Sequence, residues 1–385
     1  MSMKTMINKT YKARIIAFYL PQYYPTETNN KFYGEGFTEW TNVGKAKPLF
    51  RGHYQPKVPA DLGYYDLRYP EIRELQANLA KEAGIEGFCY YHYWFGNGKQ
   101  ELELPFEKVV ESGKPDFPFC LCWANQSWYA KFWNHDNKKD ILVVEQKYDD
   151  EKGIENHFYS LLKAFRDKRY IKVENKLLFM IYRPLEYPDV KLFMNKWQEL
   201  AKENALPGFY FIGQATNDKQ AKQMLEIGLD GANIVRKDDF LQQPKYNNII
   251  TKFFNKVQRA LGLAPYHYNY KKIYSSFIQP NGIEIKHNIF PTLIPNWDHS
   301  PRSGKQGSVF YNSTPENFAL HLKDALNIIK DKDEDKKILF LKSWNEWGEG
   351  NYIEPCLKYG KQYLNIIKNI VLQYLNEQNN EVSRD

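Results

Sequence analysis

Eight short apolar runs, rich in β-branched and aromatic residues, recur along this 385-residue chain and constrain its fold more than any other feature. They are Ala13–Leu20, Ile85–Tyr93, Phe117–Trp123, Leu177–Tyr182, Phe209–Gln214, Gly231–Val235, Asn288–Leu293 and Lys337–Ser343. Most are near-continuous rather than alternating, which is how strands buried on both faces of a parallel sheet read. Helical patterns lie between most of them. Pro70–Gly84 opens on Pro, closes on Gly and sets Ile72, Leu75, Leu79 and Ala83 on one face. Asp149–Asp167, Pro188–Glu203, Asp218–Gly228, Thr314–Lys330 and Leu357–Leu375 follow. Strand alternating with helix in this way predicts an α/β chain folded as a TIM-type (β/α)8 barrel.

Such a barrel needs about 250 residues, so the surplus here must lie in insertions. Three loops are long, at 21–69, 124–148 and 236–287. All three follow strands, which is the face where these barrels carry active sites. Residues 1–375 are expected to form one catalytic domain, and the polar stretch 376–385 a frayed tail. The net charge of +7 is too diffuse for a dedicated nucleic-acid binder. Much of it sits in the 236–287 insertion, where Phe240 to His287 carries seven Lys/Arg and one acid, Glu284. Thr251–Leu261 has the pattern of a basic amphipathic helix, with Lys252, Lys256 and Arg259 beside Phe253, Phe254, Val257 and Leu261. It reads as a solvated excursion packed on the barrel, as a lid, or as a contact for an anionic partner: a membrane surface, a polyanionic or lipid-linked glycan, or a phosphate-bearing substrate. Cys89, Cys120, Cys122 and Cys356 form no CxxC pair and are expected as buried free thiols. Met1–Thr10 lacks an apolar leader core, and Ile15–Leu20 is too short to span a bilayer, so a cytoplasmic protein is expected.

Chemistry-bearing residues cluster after the strands. Tyr23, Glu39 and Trp40 follow the first, and His92, Tyr93 and Trp94 end the second. Trp123, Asn125, Gln126 and Trp128 follow the third, Arg183 the fourth and Gln214 the fifth. Trp297, Asp298 and Arg302 follow the seventh, and Trp344, Asn345 and Trp347 the eighth. With aromatic residues at 16% of the chain, these ends are expected to build a sugar-binding cleft walled by Trp94, Trp123, Trp128, Trp297 and Trp344. Within it, Glu346 and Glu349 stand three apart beside Gly348 and Gly350, which let the chain turn. Paired carboxylates beside stacking platforms suit work on a glycosidic bond, one giving a proton and the other serving as base or nucleophile. No HxH or HxxEH spacing suggests a metal, and no GxGxxG, Walker or GxSxG motif suggests a cofactor or a nucleophile elbow. The one Asp-x-Asp, Asp331-Lys332-Asp333, lies past a helix among charged residues and reads as a solvated turn.

Several stretches together resemble the WbsX family of bacterial surface-polysaccharide clusters. They are Gly34-Glu35-Gly36-Phe37-Thr38-Glu39-Trp40, Cys89–Phe95, Trp123-Ala124-Asn125, Trp297–Arg302, and Trp344–Gly350 with Ile353-Glu354-Pro355. The resemblance runs from about Ala13 to Leu375, and the family is commonly labelled a glycosyltransferase. Through the Asn-Glu-Trp-x-Glu-Gly motif it is also similar to the endo-α-mannosidase glycoside hydrolases, which are (β/α)8 barrels. That likeness implies Glu346 as a base acting on the sugar 2-hydroxyl and Glu349 as acid/base at the leaving oxygen. Gln126 stands where the family pattern often carries an acid. The expected activity is cleavage or transfer at a glycosidic bond of an oligo- or polysaccharide, without metal or cofactor and with no nucleic-acid partner. The alternatives are a non-catalytic glycan-binding barrel and a nucleotide-sugar-dependent transferase.

Overall fold

Each apolar run forms a strand buried along nearly its whole length, because every strand has the barrel interior on one face and helices on the other. The computed structural model describes residues 13–130, 141–249, 253, 257 and 265–382. The strands are β1 (Arg14–Tyr19), β2 (Gly87–Trp94), β3 (Phe119–Trp123) and β4 (Lys176–Ile181), then β5 (Phe209–Ala215), β6 (Gly231–Ile234), β7 (Ile289–Leu293) and β8 (Ile338–Leu341). Each pairs in parallel with the next, and β8 returns to β1, so the sheet closes. Ile16 illustrates the closure, lying opposite Phe340 on one side and Gly87 on the other. The chain thus folds as the expected eight-stranded barrel.

The outer layer comprises α1 (Pro70–Glu82), α2 (Leu104–Ser112), α3 (Glu151–Phe165), α4 (Val190–Glu203), α5 (Asp218–Glu226), α6 (Pro315–Ile329) and α7 (Gln362–Val382). Asp150, Asn217 and Thr314 cap α3, α5 and α6 by accepting from backbone N–H groups of the first turn. Helix α2 escapes a periodicity reading because its stripe is short, with only Pro105, Phe106 and Val109 buried. Helix α7 runs to Val382, through most of the stretch expected to fray. All four cysteines are buried free thiols. No helix among the described residues is long and apolar enough to cross a membrane.

The described part of the insertion after β6 builds a small unit of its own. Its strand Tyr266–Asn269 pairs in parallel with Ser308–Tyr311, which in turn pairs antiparallel with Trp297–Asp298. Phe240, Tyr270, Ile273 and Phe277 pack with Val235, Ile294, Trp297 and Phe310 in a second apolar cluster. Glu284, the one acid between Phe240 and His287, is fully buried against Arg236, which also binds Asp218 and Asp239 and so ties the segment's two ends to the barrel. The expected basic helix at Thr251–Leu261 lies outside the described residues apart from Phe253 and Val257, which are helical; Lys252, Lys256 and Arg259 lie outside them too.

Gly87 shows how tightly β2 is seated. A Cβ there would lie 2.4 Å from the Pro118 carbonyl oxygen and 2.8 Å from Ile171. The first is backbone and cannot swing aside, so Gly87→Ala should cost roughly 1–3 kcal/mol. Urea denaturation checks this; an unchanged midpoint would contradict the packing described.

Candidate active site

At the carboxyl ends of the strands lies a cleft of about 840 Å³ with Glu346 and Glu349 in its wall. Their placement follows from a local hairpin. Asn345–Glu346 pairs antiparallel with Asn351–Tyr352, and a single 3₁₀ turn, Trp347–Glu349, closes it. A 3₁₀ turn nearly eclipses residues three apart, so both acids face the cleft although a regular strand would part them. Gly350 ends the turn at φ 53°, in the left-handed region. Gly348 is required for another reason: a Cβ there would lie 1.8 Å from the Glu39 carboxylate.

The hairpin is fixed from beneath. Asn345 accepts from the Leu20 amide at 2.8 Å and donates to the Leu20 carbonyl at 3.0 Å, joining the ends of β8 and β1. Buried Glu354 accepts from Trp347 (2.6 Å), Gln76 (2.7 Å) and Tyr65 (2.9 Å). Burial raises its pKa to about 7 despite those donors. Tyr23, Trp40, Tyr65 and Trp347 pack ring on ring around this anchor.

Arg302 is the centre of the site. Its Nη1 donates to Glu349 at 2.8 Å and to Glu346 at 3.2 Å, and its Nε donates to Glu39 at 3.1 Å. His299 lies 3.4 Å from Glu349, and Lys342 lies 4.0 Å from the other oxygen of Glu346. These contacts divide the pair. Burial, and then the charge of Glu349, raise the pKa of Glu346. Burial would also raise Glu349, but Arg302 and His299 outweigh it and hold that carboxyl well below the usual range.

Ten expected site residues border this one cleft: Glu39, Tyr93, Gln126, Trp128, Arg183, Gln214, Trp297, Arg302, Glu346 and Glu349. The others do not. Tyr23 and Trp40 lie beneath the hairpin, and Asn345 and Trp347, within it, turn their side chains down to Leu20 and Glu354. Asn125 is buried and bonds both backbone groups of Arg183, shaping the loops after β3 and β4. Three of the five tryptophans expected to wall the cleft are elsewhere. Trp94 stacks on His157 of α3 and donates to Asp149, Trp123 packs on Phe193 of α4, and Trp344 is fully buried against Phe88. The cause is strand parity: in β2 the odd residues Tyr91 and Tyr93 face the cleft, while His92 and Trp94 face the helices. His92 shares a 2.8 Å contact with His157, and burial lowers its pKa to about 3. Asp298 is turned away as well, held by His53 (2.9 Å), Gln55 (2.7 Å) and Lys57 (3.4 Å).

The same parity would have found Tyr91. Lys342 and His299 also border the cleft, although neither is among the expected site residues. Among the described residues no cluster of His, Cys, Asp or Glu could hold a metal ion. The Asp331–Asp333 turn is at the other end of the barrel, where Lys332 donates to the Ile289 carbonyl at the start of β7.

The sequence matches the family described as glycosyltransferase WbsX over residues 15–367. The chain belongs to this WbsX family. By that description its family is one of carbohydrate-active enzymes. Two proteins named WxcX, both described as uncharacterized, from two strains of Xanthomonas campestris pv. campestris are 29% identical over 373 and 369 residues. The chain spans about half the length of these curated relatives. Among solved structures, a GH99 endo-α-mannosidase from Bacteroides thetaiotaomicron has a TM-score of 0.54 at 15% identity, covering 95% of this chain and 98% of that one. A glycoside hydrolase-like protein has a TM-score of 0.56 at 14% identity, covering 93% of each. The likeness is one of fold: these neighbours share the WbsX chain's barrel.

Removing Arg302 should expose what it balances. In Arg302→Leu, burial would dominate Glu349 and raise its pKa above the unfolded value, so stability would be present at low pH and lost as pH rises. In the parent, Glu349 is depressed, so its contribution is present at neutral pH and lost on acidification. The variant's deficit should therefore be greatest at pH 7.5, roughly 2–4 kcal/mol for a partly shielded ion cluster, and shrink towards pH 5. Urea midpoints at both pH values measure it, and a deficit independent of pH would refute the account.

Proposed function

We propose that this protein acts on a glycosidic bond of a bacterial surface polysaccharide, of O-antigen or capsule type, with Glu346 and Glu349 as its carboxylate pair. The observation that carries the reading is the shared Arg302 nitrogen. It holds the two acids side by side, with opposed proton affinities, in a cleft walled by Trp128, Trp297 and Tyr93. A module that only binds sugar has no need of two acids so placed, whereas catalysis needs one proton held and one released. The surface-polysaccharide setting is supported by the family resemblance. The basic character of 236–287 supports a contact between that segment and an anionic or lipid-linked glycan.

The electrostatics favour a division of labour. Glu346 retains its proton to higher pH and is suited to give it to the leaving oxygen as the C–O bond breaks. Glu349, held as a carboxylate, is suited to supply negative charge at the anomeric centre, as nucleophile or as base to a sugar hydroxyl. This reverses the roles implied by the mannosidase likeness. Because one nitrogen bonds both acids, their bonded oxygens are no more than about 6 Å apart. That is nearer the roughly 5–5.5 Å of retaining enzymes than the 6.5–9.5 Å that seats a water. Retention suits either water or a sugar hydroxyl as acceptor.

Glu346→Gln and Glu349→Gln should each lower turnover of the source polysaccharide by about 10²–10⁴-fold with little loss of stability. In the pH–rate profile of residual activity, Glu346→Gln should lose the alkaline limb and Glu349→Gln the acid limb. Exchanged limbs would restore the order implied by the likeness, and near-parental activity in either variant would remove that residue from the chemistry.

A further inference from the structure

A second cavity, of about 600 Å³, opens on the same rim of the barrel. It lies behind the wall of the first. Along the strand segment after β7, Trp297 and His299 face the cleft of the glutamates, whereas Asn296 and Asp298 face this second space. The two cavities are therefore separated by the thickness of one strand. The second is closed by the β1 loop through Phe50–Tyr54 and Lys57, and by the β8 loop through Tyr352, Lys358 and Tyr359.

Its chemistry differs from that of the cleft. The cleft gathers Glu39, Glu346 and Glu349 around Arg302, whereas this cavity is lined by one carboxylate, Asp298, already occupied by His53, Gln55, Lys57 and Ser300. Burial would raise Asp298, but Lys57 and His53 overcome it and keep it ionised. Lys57 is spent on that carboxylate and on the Gly350 carbonyl at 3.5 Å. Two cations remain at the mouth. Lys358 lies 4.7 Å from the ring centre of Tyr54 and 5.0 Å from that of Tyr359, and neither it nor Arg51 is ion-paired among the described residues. Both are exposed. Aromatic side chains stand alongside: Phe50 stacks between His53 and His267 at 4.5 Å each, and Tyr54, Tyr311 and Tyr359 line the same space.

We propose that this cavity is a second saccharide site, for a sugar unit that carries an anionic group, a carboxylate or a phosphate. Arg51 and Lys358 meet the charge and the aromatic walls meet the ring. The choice of a sugar rests on the glycan reading of the neighbouring cleft: a polymer held there has its adjoining units on this rim, one strand's width away. Two linked sites on one chain raise the effective affinity for a polymer without any new contact at the reacting bond. A nucleotide, which also joins a flat ring to an anion, is the competing occupant.

The test is calorimetric titration of the full chain with a disaccharide of glucuronic acid and a neutral hexose, its all-neutral counterpart, glucose 1-phosphate, inorganic phosphate and a nucleoside monophosphate. The parent should bind at least one charged sugar more tightly than the neutral one, and added salt should weaken the difference. Uronate or sugar phosphate as the stronger ligand tells which anion the site takes. In the Arg51→Ser, Lys358→Ser double variant, both exposed positions, the charged sugar should weaken by about tenfold or more while neutral disaccharide binding is unchanged. Equal affinity for charged and neutral sugars in the parent, or an unaltered preference in the variant, overturns the second site and leaves the glycan reading standing. Inorganic phosphate or the nucleotide binding as tightly as any charged sugar also overturns it. Failure of every saccharide to bind removes both.

Discussion

The site depends on one guanidinium shared among three carboxylates. Glu39 comes from the β1 loop, Arg302 from the β7 loop, and Glu346 and Glu349 from the hairpin after β8. Two ionised acids about 6 Å apart repel by roughly 2–3 kcal/mol at an effective dielectric near 20, and burial adds to that. Without a central cation the hairpin could not hold both towards the cleft. Arg302 meets this need, and the two acids are unlike because His299 adds to its pull on Glu349, whereas at Glu346 burial and the charge of Glu349 outweigh Arg302 and Lys342. Close approach and unequal proton affinity thus arise within one cluster of charges. Gly348 is the local condition for it, since any side chain there would displace Glu39.

The barrel was legible because burial on both strand faces leaves a signature that loops and surface helices lack. All eight runs form strands, with ends shifted by two residues at most. For example, Lys337–Ser343 contracted to Ile338–Leu341. What escaped was what short-range periodicity cannot carry. Helix α2 buries too few residues to show a stripe. The 236–287 segment reads as a charge excess, yet its partners, Phe310 and Trp297, come from residues later in the chain. No local pattern announces that Glu284 is buried against Arg236.

The site was legible by position and less so by direction. Residues after the strands did gather on one rim, and ten of the expected residues border one cleft. Uncommon residue types nevertheless mark two populations that a sequence does not distinguish. Some reach the cleft; others hold the first group in place, because a buried indole or amide needs a partner and a cleft's walls are full of such needs. Trp123 donates to the Trp94 carbonyl and Trp347 to Glu354, and Asn345 and Asn125 each bond two backbone groups across neighbouring loops. Density of Trp, Asn and Glu in a motif therefore reports closeness to a site, while membership is set by parity and by which face of a turn is presented.

Parity carries a further consequence at Asn296–His299. Successive side chains of this segment alternate between two cavities, so the wall is a single layer with unlike chemistry on its faces. On one side Trp297 offers an aromatic surface with Lys237 4.4 Å from its ring centre, and His299 contacts Glu349. On the other, Asp298 gathers His53, Gln55 and Lys57, and Lys57 reaches on to Gly350, the residue after Glu349. The two faces meet again at the hairpin, since Gly350 contacts Lys57 on one side while Glu349 contacts Arg302 on the other. A partition of this kind is shared by both cavities. A change at Asp298 would loosen Lys57 from Gly350 and so reach the carboxylate pair, although Asp298 itself borders only the second space.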